Sequence, residues 1–279
     1  MPLTPERLWR ALRRRNPDRS LKVIMDPLLE VALRAALAGG EEVMRVYADP
    51  FEVTQKDDAT PVTAADLASE QVIVEMLTSA YPDIPVVSEE TVPEGGFSSP
   101  AARFWCVDPL DGTKEFIARN GEFAVLIGLI EHGRPVLGVV HGPAIGVTYV
   151  AHGPGTAMRR RDGAEFEPIR ARAPSPDGIV VVHSRSHENS RRLAEYFQGR
   201  PVVERKRCGS ALKFGVLAAG EADLYPRFGT TMEWDTAAGQ AVLEAAGGHV
   251  LDLSGEPLAY GKPGLKNSGF VAWGAKPAW

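Results

Sequence analysis

The stretch FWCVDPLDGTKEF, Phe104 to Phe116, constrains what this chain can fold into more than any other part of it. Phe104 to Val107 form an unbroken apolar run with aromatic and β-branched members, which predicts a buried strand. Pro109 lacks a backbone donor and Gly112 frees the backbone, so the strand is expected to stop there, leaving Asp108 and Asp111 at its end. Two carboxylates this close repel unless a cation sits between them, and hard oxygen donors favour Mg2+ or a similar ion. Gly112 and Thr113 then offer free amides at a helix start, which suits a phosphate. Taken alone, the stretch points to metal-assisted phosphate chemistry.

The rest of the composition fits such a site. With 279 residues, 44% hydrophobic and 24% charged, the chain is long and apolar enough for a globular fold of one or two domains, not a disordered one. Its net charge of -5 argues against nucleic-acid binding but allows a local basic pocket. Cys106 and Cys208 form no CxxC pair and no disulfide framework, so a reducing compartment is expected, with Cys106 a buried inert thiol. No apolar run approaches the roughly 20 residues of a membrane span, and the start of the chain lacks the apolar core of a signal peptide. A cytoplasmic location is the expectation.

Residues 1–25, with Arg13, Arg14 and Arg15, read as a solvated extension or a basic arm. Asp26 and Pro27 mark the start of a helix running to about Tyr47. The segment Lys56 to Asp66 predicts an irregular loop or hairpin feeding a second helix, and Thr63 with Asp66 matches a capping box. Capping by itself accounts for Asp66, although Asp57 and Asp58 make the region unusually acidic. Ile84 to Val87 predicts a short strand ending at Glu89 and Glu90, an acidic pair that reads either as a solvated loop or as cation ligands gathered at a strand end. Phe123 to Ile130 and Val136 to Val140 predict a hairpin, and Val147 to Ala151 a further strand.

Residues 152–178 look irregular, and a domain boundary is expected near residue 172. Beyond it, strands at Ile179 to Val182, Val202 to Glu204 and Leu224 to Phe228 alternate with helices at His187 to Phe197 and Ser210 to Ala219. A last helix is expected within Trp234 to Gly248, with Asp235 either its N-cap or part of an acidic site. The division is therefore an extension 1–25, an α+β part 26–172 and an α/β part 173–279. The histidines outside position 187 show no paired spacing for zinc.

Read together, DPLDGTKEF, the SEE after a strand, K-x-D-x-T-P-V-T-x-x-D and the late WDTAAG resemble the inositol monophosphatase superfamily of Mg2+-dependent, Li+-sensitive phosphatases. The resemblance covers most of residues 27–273. Within the superfamily, Lys114, Glu115 and Phe116, together with SALKFGVLAAGEADLYPRF and RNGEFAVLIGLIEHGRPVLGVV, are similar to the bacterial 3′(2′),5′-bisphosphate nucleotidases. Thr60 in place of the usual Ser, Gly215 within a helix and the N-terminal extension depart from the pattern.

The resemblance implies an α/β fold of the layered αβαβα sandwich type. It implies two or three Mg2+ ions, with Glu89, Asp108 and the Leu110 carbonyl holding one, Asp108, Asp111 and Asp235 a second, and Li+ as an inhibitor. Thr113 would hydrogen-bond the attacking water, oriented by Asp66 or Asp58. Gly112, Thr113, Lys114, His187, Ser210, Lys213 and Arg227, with the metal-holding groups, would contact a phosphorylated adenosine nucleotide. The implied reaction is removal of the 3′-phosphate from adenosine 3′,5′-bisphosphate or its sulfated form, in sulfur metabolism. Inositol phosphates and fructose-1,6-bisphosphate are alternative substrates, and a non-catalytic nucleotide or phosphate sensor is the alternative of another class. Monomer and homodimer are both open.

Overall fold

A computed structural model describes residues 26–50, 53–55, 61–92, 101–184 and 201–275. The first helix, α1 (Pro27–Ala48), starts where Asp26 accepts the amides of Leu28 and Leu29 at 2.8 and 3.4 Å. A short antiparallel pair, β1 (Val53–Gln55) and β2 (Pro61–Thr63), leads into α2 (Ala64–Ala80). Then come β3 (Val86–Ser88), β4 (Arg103–Asp111), the single turn α3 (Thr113–Ile117), β5 (Ala124–Glu131), β6 (Arg134–Gly142), β7 (Val147–Ala151), β8 (Met158–Arg161) and β9 (Glu167–Pro168). Strands β3 to β9 form one sheet in chain order, antiparallel except for the parallel pair β3 and β4.

The strand at the opening motif is longer than expected. It does not end at Pro109 but runs to Asp111, because Asp108 faces Leu126 and Asp111 faces Ala124, three steps on β4 against two on β5. Pro109 lies inside this bulge, where its missing amide costs no ladder bond. Strands β8 and β9 likewise give regular structure to a segment that reads as irregular.

The second sheet has the order β11-β10-β12-β16-β14, from β10 (Ile179–His183), β11 (Val202–Arg207), β12 (Leu224–Arg227), β14 (His249–Asp252) and β16 (Phe270–Trp273). Strands β10, β11 and β12 are parallel, as strand and helix alternation predicts. β16 and β14 then add antiparallel, which the alternation does not predict. A small pair, β13 (Thr231–Met232) with β15 (Lys266–Asn267), flanks the sheet. Helix α4 spans Leu212–Ala218, later than expected because Ser210 has φ 54° and cannot open a right-handed helix. It runs through Gly215, where a Cβ would lie 2.3 Å from the buried ring of Tyr149. Helix α5 is Ala237–Ala245.

Alternation along β4 and β5 builds the layers. Trp105, Val107, Val125 and Ile127 meet α1 and α2 through Leu29, Leu33, Ile73 and Leu77. Phe104, Cys106 and Leu126 face the other way, onto Phe214, Leu217, Ala237 and Val242 of α4 and α5, which also receive Val180, Val182 and Phe270 of the second sheet. The order is helix, sheet, helix, sheet, and the outer face of the second sheet carries Ile179, Val181, Leu224, Val271 and Trp273. The segment His187 to Phe197, where a helix is expected, lies outside the described residues. No helix among the described residues is long and apolar enough to cross a membrane.

A candidate metal and phosphate centre

The site forms where the end of β4 meets the turn before α5. Asp108, 1% exposed, accepts the Leu110 amide at 3.0 Å. Gly112 has φ +90°, a conformation that lets the chain reverse into α3 and costs an L side chain strain. Thr113 then donates its hydroxyl to the Leu110 carbonyl at 3.3 Å. Asp235 sits in the turn that precedes α5. It is not the helix N-cap, which is Thr236; its Oδ2 instead accepts the amide of Met232 at 2.8 Å. One carboxylate oxygen from each of Asp108, Asp111 and Asp235 falls within 4.8 Å of the others.

Three carboxylates so placed cannot all ionise at ease without a cation. Burial, then the charges of Glu89, Asp111 and Asp235, push the Asp108 carboxyl well above the usual carboxylate range. Burial and then Asp111 raise Asp235 to about 8, and Arg227 opposes this only weakly. A hard, all-oxygen donor set under this repulsion fits a divalent cation of the Mg2+ kind. Glu89 lies outside the trio but close enough for its charge to act on Asp108 and Asp235. Its amide donates to the Val107 carbonyl at 3.2 Å, which ties the β3 end to β4.

Asp66 carries the complete capping box. Its Oδ2 accepts both the amide and the hydroxyl of Thr63, at 2.7 and 2.8 Å, while Thr63 caps Ala65. Burial raises its pKa to about 6, so capping and a titration suited to a base coexist in one side chain. Asp58 and His187 lie outside the described residues.

The second half reaches the site through the turn after β11. Ser210 donates its hydroxyl to Asp111 Oδ2 at 2.6 Å, and the Ala211 amide binds the same oxygen. The Gly209 amide donates to Glu122 at 2.8 Å. Lys213 is buried at 3% exposure: its ammonium donates to the carbonyls of Cys208 and Ser210 and lies 5.0 Å from the ring centroid of Tyr225. Arg227, at the end of β12, has a buried Nε without a hydrogen-bond partner among the described residues. Of the motif Lys114, Glu115 and Phe116, only Lys114 is exposed; Phe116 packs on Tyr47 and Phe123, and Glu115 sits against Gly209. Cys106 is fully buried and its thiol is pushed well up, first by burial and then by Glu233, Asp235 and Asp108.

Three buried acids, Glu70, Asp223 and Glu233, have no counterpart among the residues singled out from the sequence; Asp223 pairs with Arg172 at 2.8 Å. Glu70, one helical turn beyond Asp66, accepts the Glu90 amide at 3.2 Å and so ties α2 to the turn that carries Glu89. Its spacing of four from Asp66 was the available signal. Glu233 lies two residues before Asp235, where an acid beside a tryptophan reads as an ordinary loop residue.

The comparisons with known proteins give the family. Residues 24–276 match the inositol monophosphatase family. The 3′(2′),5′-bisphosphate nucleotidases CysQ of Escherichia coli O157:H7 and Salmonella typhimurium are 47% and 48% identical over 235 residues, 84% of this chain and 94% of theirs. The crystal structure of CysQ from Bacteroides thetaiotaomicron superposes with a TM-score of 0.75 at 35% identity, covering 89% of this chain and 97% of that one. An inositol monophosphatase from Anabaena gives a TM-score of 0.69 at 28% identity, over 88% and 90% of the two chains. The carboxylate trio, the glycine turn beside it and these matches lead to one conclusion: the chain belongs to the inositol monophosphatase family.

Proposed function

We propose that this protein is a Mg2+-dependent phosphatase that removes the 3′-phosphate of adenosine 3′,5′-bisphosphate, giving AMP and phosphate, and that acts likewise on the sulfated form of that nucleotide. The observation that carries the reading is the convergence of Asp108, Asp111 and Asp235 beside the Gly112 and Thr113 turn. Similarity to the 3′(2′),5′-bisphosphate nucleotidases of Escherichia coli and Salmonella typhimurium supports the nucleotide over other phosphate esters.

Glu89, Asp108, the Leu110 carbonyl, Asp111 and Asp235 would hold the metal. When bound, Mg2+ supplies charge neutralisation at the phosphoryl oxygens and lowers the pKa of water. Thr113 orients the attacking water, and Asp66, or Asp58 in its place, takes its proton. The water oxygen forms the new bond to phosphorus, the bond from phosphorus to the 3′ oxygen breaks, and a proton returns to that oxygen. Arg227 and Lys114 would meet the nucleotide's phosphates, with His187 as a further contact, and Ser210, whose hydroxyl is donated to Asp111, would line the same wall. Lys213 would act by adding positive charge near the site and by holding the Cys208 and Ser210 carbonyls, which fixes the turn that reaches Asp111.

The test is a side-by-side assay of phosphate release from adenosine 3′,5′-bisphosphate, inositol-1-phosphate and fructose-1,6-bisphosphate. The expected order of kcat/KM places the nucleotide first, with activity lost in EDTA and suppressed by Li+. Comparable turnover without divalent metal sinks the metal reading. Another substrate in first place sinks the nucleotide, and tight nucleotide binding with no product favours a sensor.

A further inference from the structure

The Glu233 carboxylate is fully buried two residues from Asp235, and no step of the proposed chemistry uses it. The Gly261 amide donates to its Oε2 at 2.6 Å and the Lys262 amide to its Oε1 at 3.0 Å; Lys262 Nζ lies 2.7 Å from the same Oε1. The backbone of Glu233 is held too. Its amide donates to the Leu265 carbonyl at 2.8 Å, and its own carbonyl accepts the amides of Thr236 and Ala237 at 3.2 and 3.0 Å, which opens α5.

The same late segment reaches Asp235 by a second route. Asn267 Nδ2 donates to the Met232 carbonyl at 3.1 Å, and the Met232 amide donates to Asp235 Oδ2 at 2.8 Å. Lys262 Nζ joins the two routes by donating to Asn267 Oδ1 at 2.9 Å. Asn267 also donates to the Thr236 hydroxyl at 2.9 Å, which in turn accepts from Tyr260 at 3.0 Å. The bonds of Glu233 to Gly261, Lys262 and Leu265, of Asn267 to Met232 and Thr236, and of Tyr260 to Thr236 link the turn that carries Asp235 to residues 260–267. A buried charge is a poor source of stability compared with a packed apolar side chain, so its use here is better explained by what it places.

We propose that Glu233, paired with Lys262, is a positioning residue: it clamps residues 260–267 to the turn from Thr231 to Thr236 and thereby aims the Asp235 carboxylate at Asp108 and Asp111 for a divalent cation. The inference rests on the metal reading of that trio. Partners that orient metal ligands in this way change metal affinity by about 10- to 100-fold.

The test measures Mn2+ binding to the full chain by calorimetry, with thermal melts alongside, for wild type, Glu233→Gln and Lys262→Met. Glu233→Gln is expected to bind Mn2+ about tenfold more weakly than wild type, Lys262→Met more weakly by a smaller factor, and both to regain turnover at saturating metal. Wild-type affinity in both variants overturns the clamp, even if their melting temperatures fall, because a merely structural role predicts that pattern. Turnover that stays low at saturating metal overturns it as well. If Glu233→Gln does not fold, Lys262→Met decides alone, its side chain being 33% exposed and tolerant of change. A wild type that binds no Mn2+ overturns the metal reading itself, a result distinct from failure of the clamp.

Discussion

Ser210 and Asp111, 99 positions apart in the chain, meet at 2.6 Å, the hydroxyl of the one donating to the carboxylate of the other. The left-handed backbone of Ser210 makes this contact and also points the next amide, that of Ala211, at the same oxygen. An oxygen held by two donors stays fixed while the neighbouring carboxylates repel it.

Ser210→Ala removes one of those donors and leaves the other. Hydrogen bonds to charged groups contribute about 1.5–3 kcal/mol, and the remaining amide puts the loss at the low end. The metal concentration for half-maximal activity should rise by about tenfold with little change in the melting temperature. A Mg2+ titration of phosphate release checks this.

Asp66 gives a pH dependence with opposite signs for rate and stability. Its folded pKa of about 6 stands above the ordinary value of 3.8. The folded state therefore holds the proton more tightly, and stability falls as pH rises from about 4 to about 6. The rate goes the other way, because a base must be ionised: kcat should climb with pH to about 6 and then level. Asp66→Asn should remove that limb and cost about 100-fold in kcat or more, with stability at pH 7 undiminished. Survival of the limb in the variant would move the role to Asp58.

Lys114 and Phe116 separate recognition from folding within one motif. Phe116 is fully buried between Tyr47 and Phe123, so Phe116→Ala should cost about 3–5 kcal/mol of stability. Exposed Lys114 should tolerate Lys114→Ala without loss of stability. That variant should raise KM for adenosine 3′,5′-bisphosphate severalfold and leave KM for inositol-1-phosphate unchanged, as paired steady-state assays would show.

Gly138 marks the close contact between β6 and α5. A Cβ there would lie 2.2 Å from the Ala238 carbonyl oxygen, a backbone atom that can yield only if the helix moves. Gly138→Ala should destabilise the fold by about 1–3 kcal/mol. Because α5 follows the turn of Asp235, the variant should also bind Mg2+ more weakly. Urea unfolding and a Mg2+ titration test the two effects together.

Metal and protons should compete for the trio. Burial and Asp111 hold Asp235 at about 8, so Mg2+ binding must displace a proton at neutral pH and should tighten as pH rises toward 8. Saturating Mg2+ at about 100 times its Kd should stabilise the protein by about 2.7 kcal/mol, and EDTA should reverse it. Thermal melts across a pH series, with and without metal, measure both.

The local parts of this protein were legible in its sequence. Asp26 with Pro27, Thr63 with Asp66, and the apolar run from Phe104 to Val107 act through neighbours within one turn or one strand, so residue type and spacing suffice to place them. The order of the acidic motifs carried the family resemblance for the same reason. Pro109 misled, because a bulge that excuses a missing amide depends on the register of β5 and not on β4 alone. Asp235 reads as a helix cap in the sequence, but the cap is Thr236, and only the fold brings Asp235 to the Met232 amide and beside Asp108 and Asp111. Contacts such as Ser210 on Asp111, or Lys262 on Glu233, close loops of many residues and are made only once the two sheets pack on α4 and α5. Tertiary packing therefore decided how the site is assembled, because the positions of its walls depend on hydrophobic layers that no single segment contains.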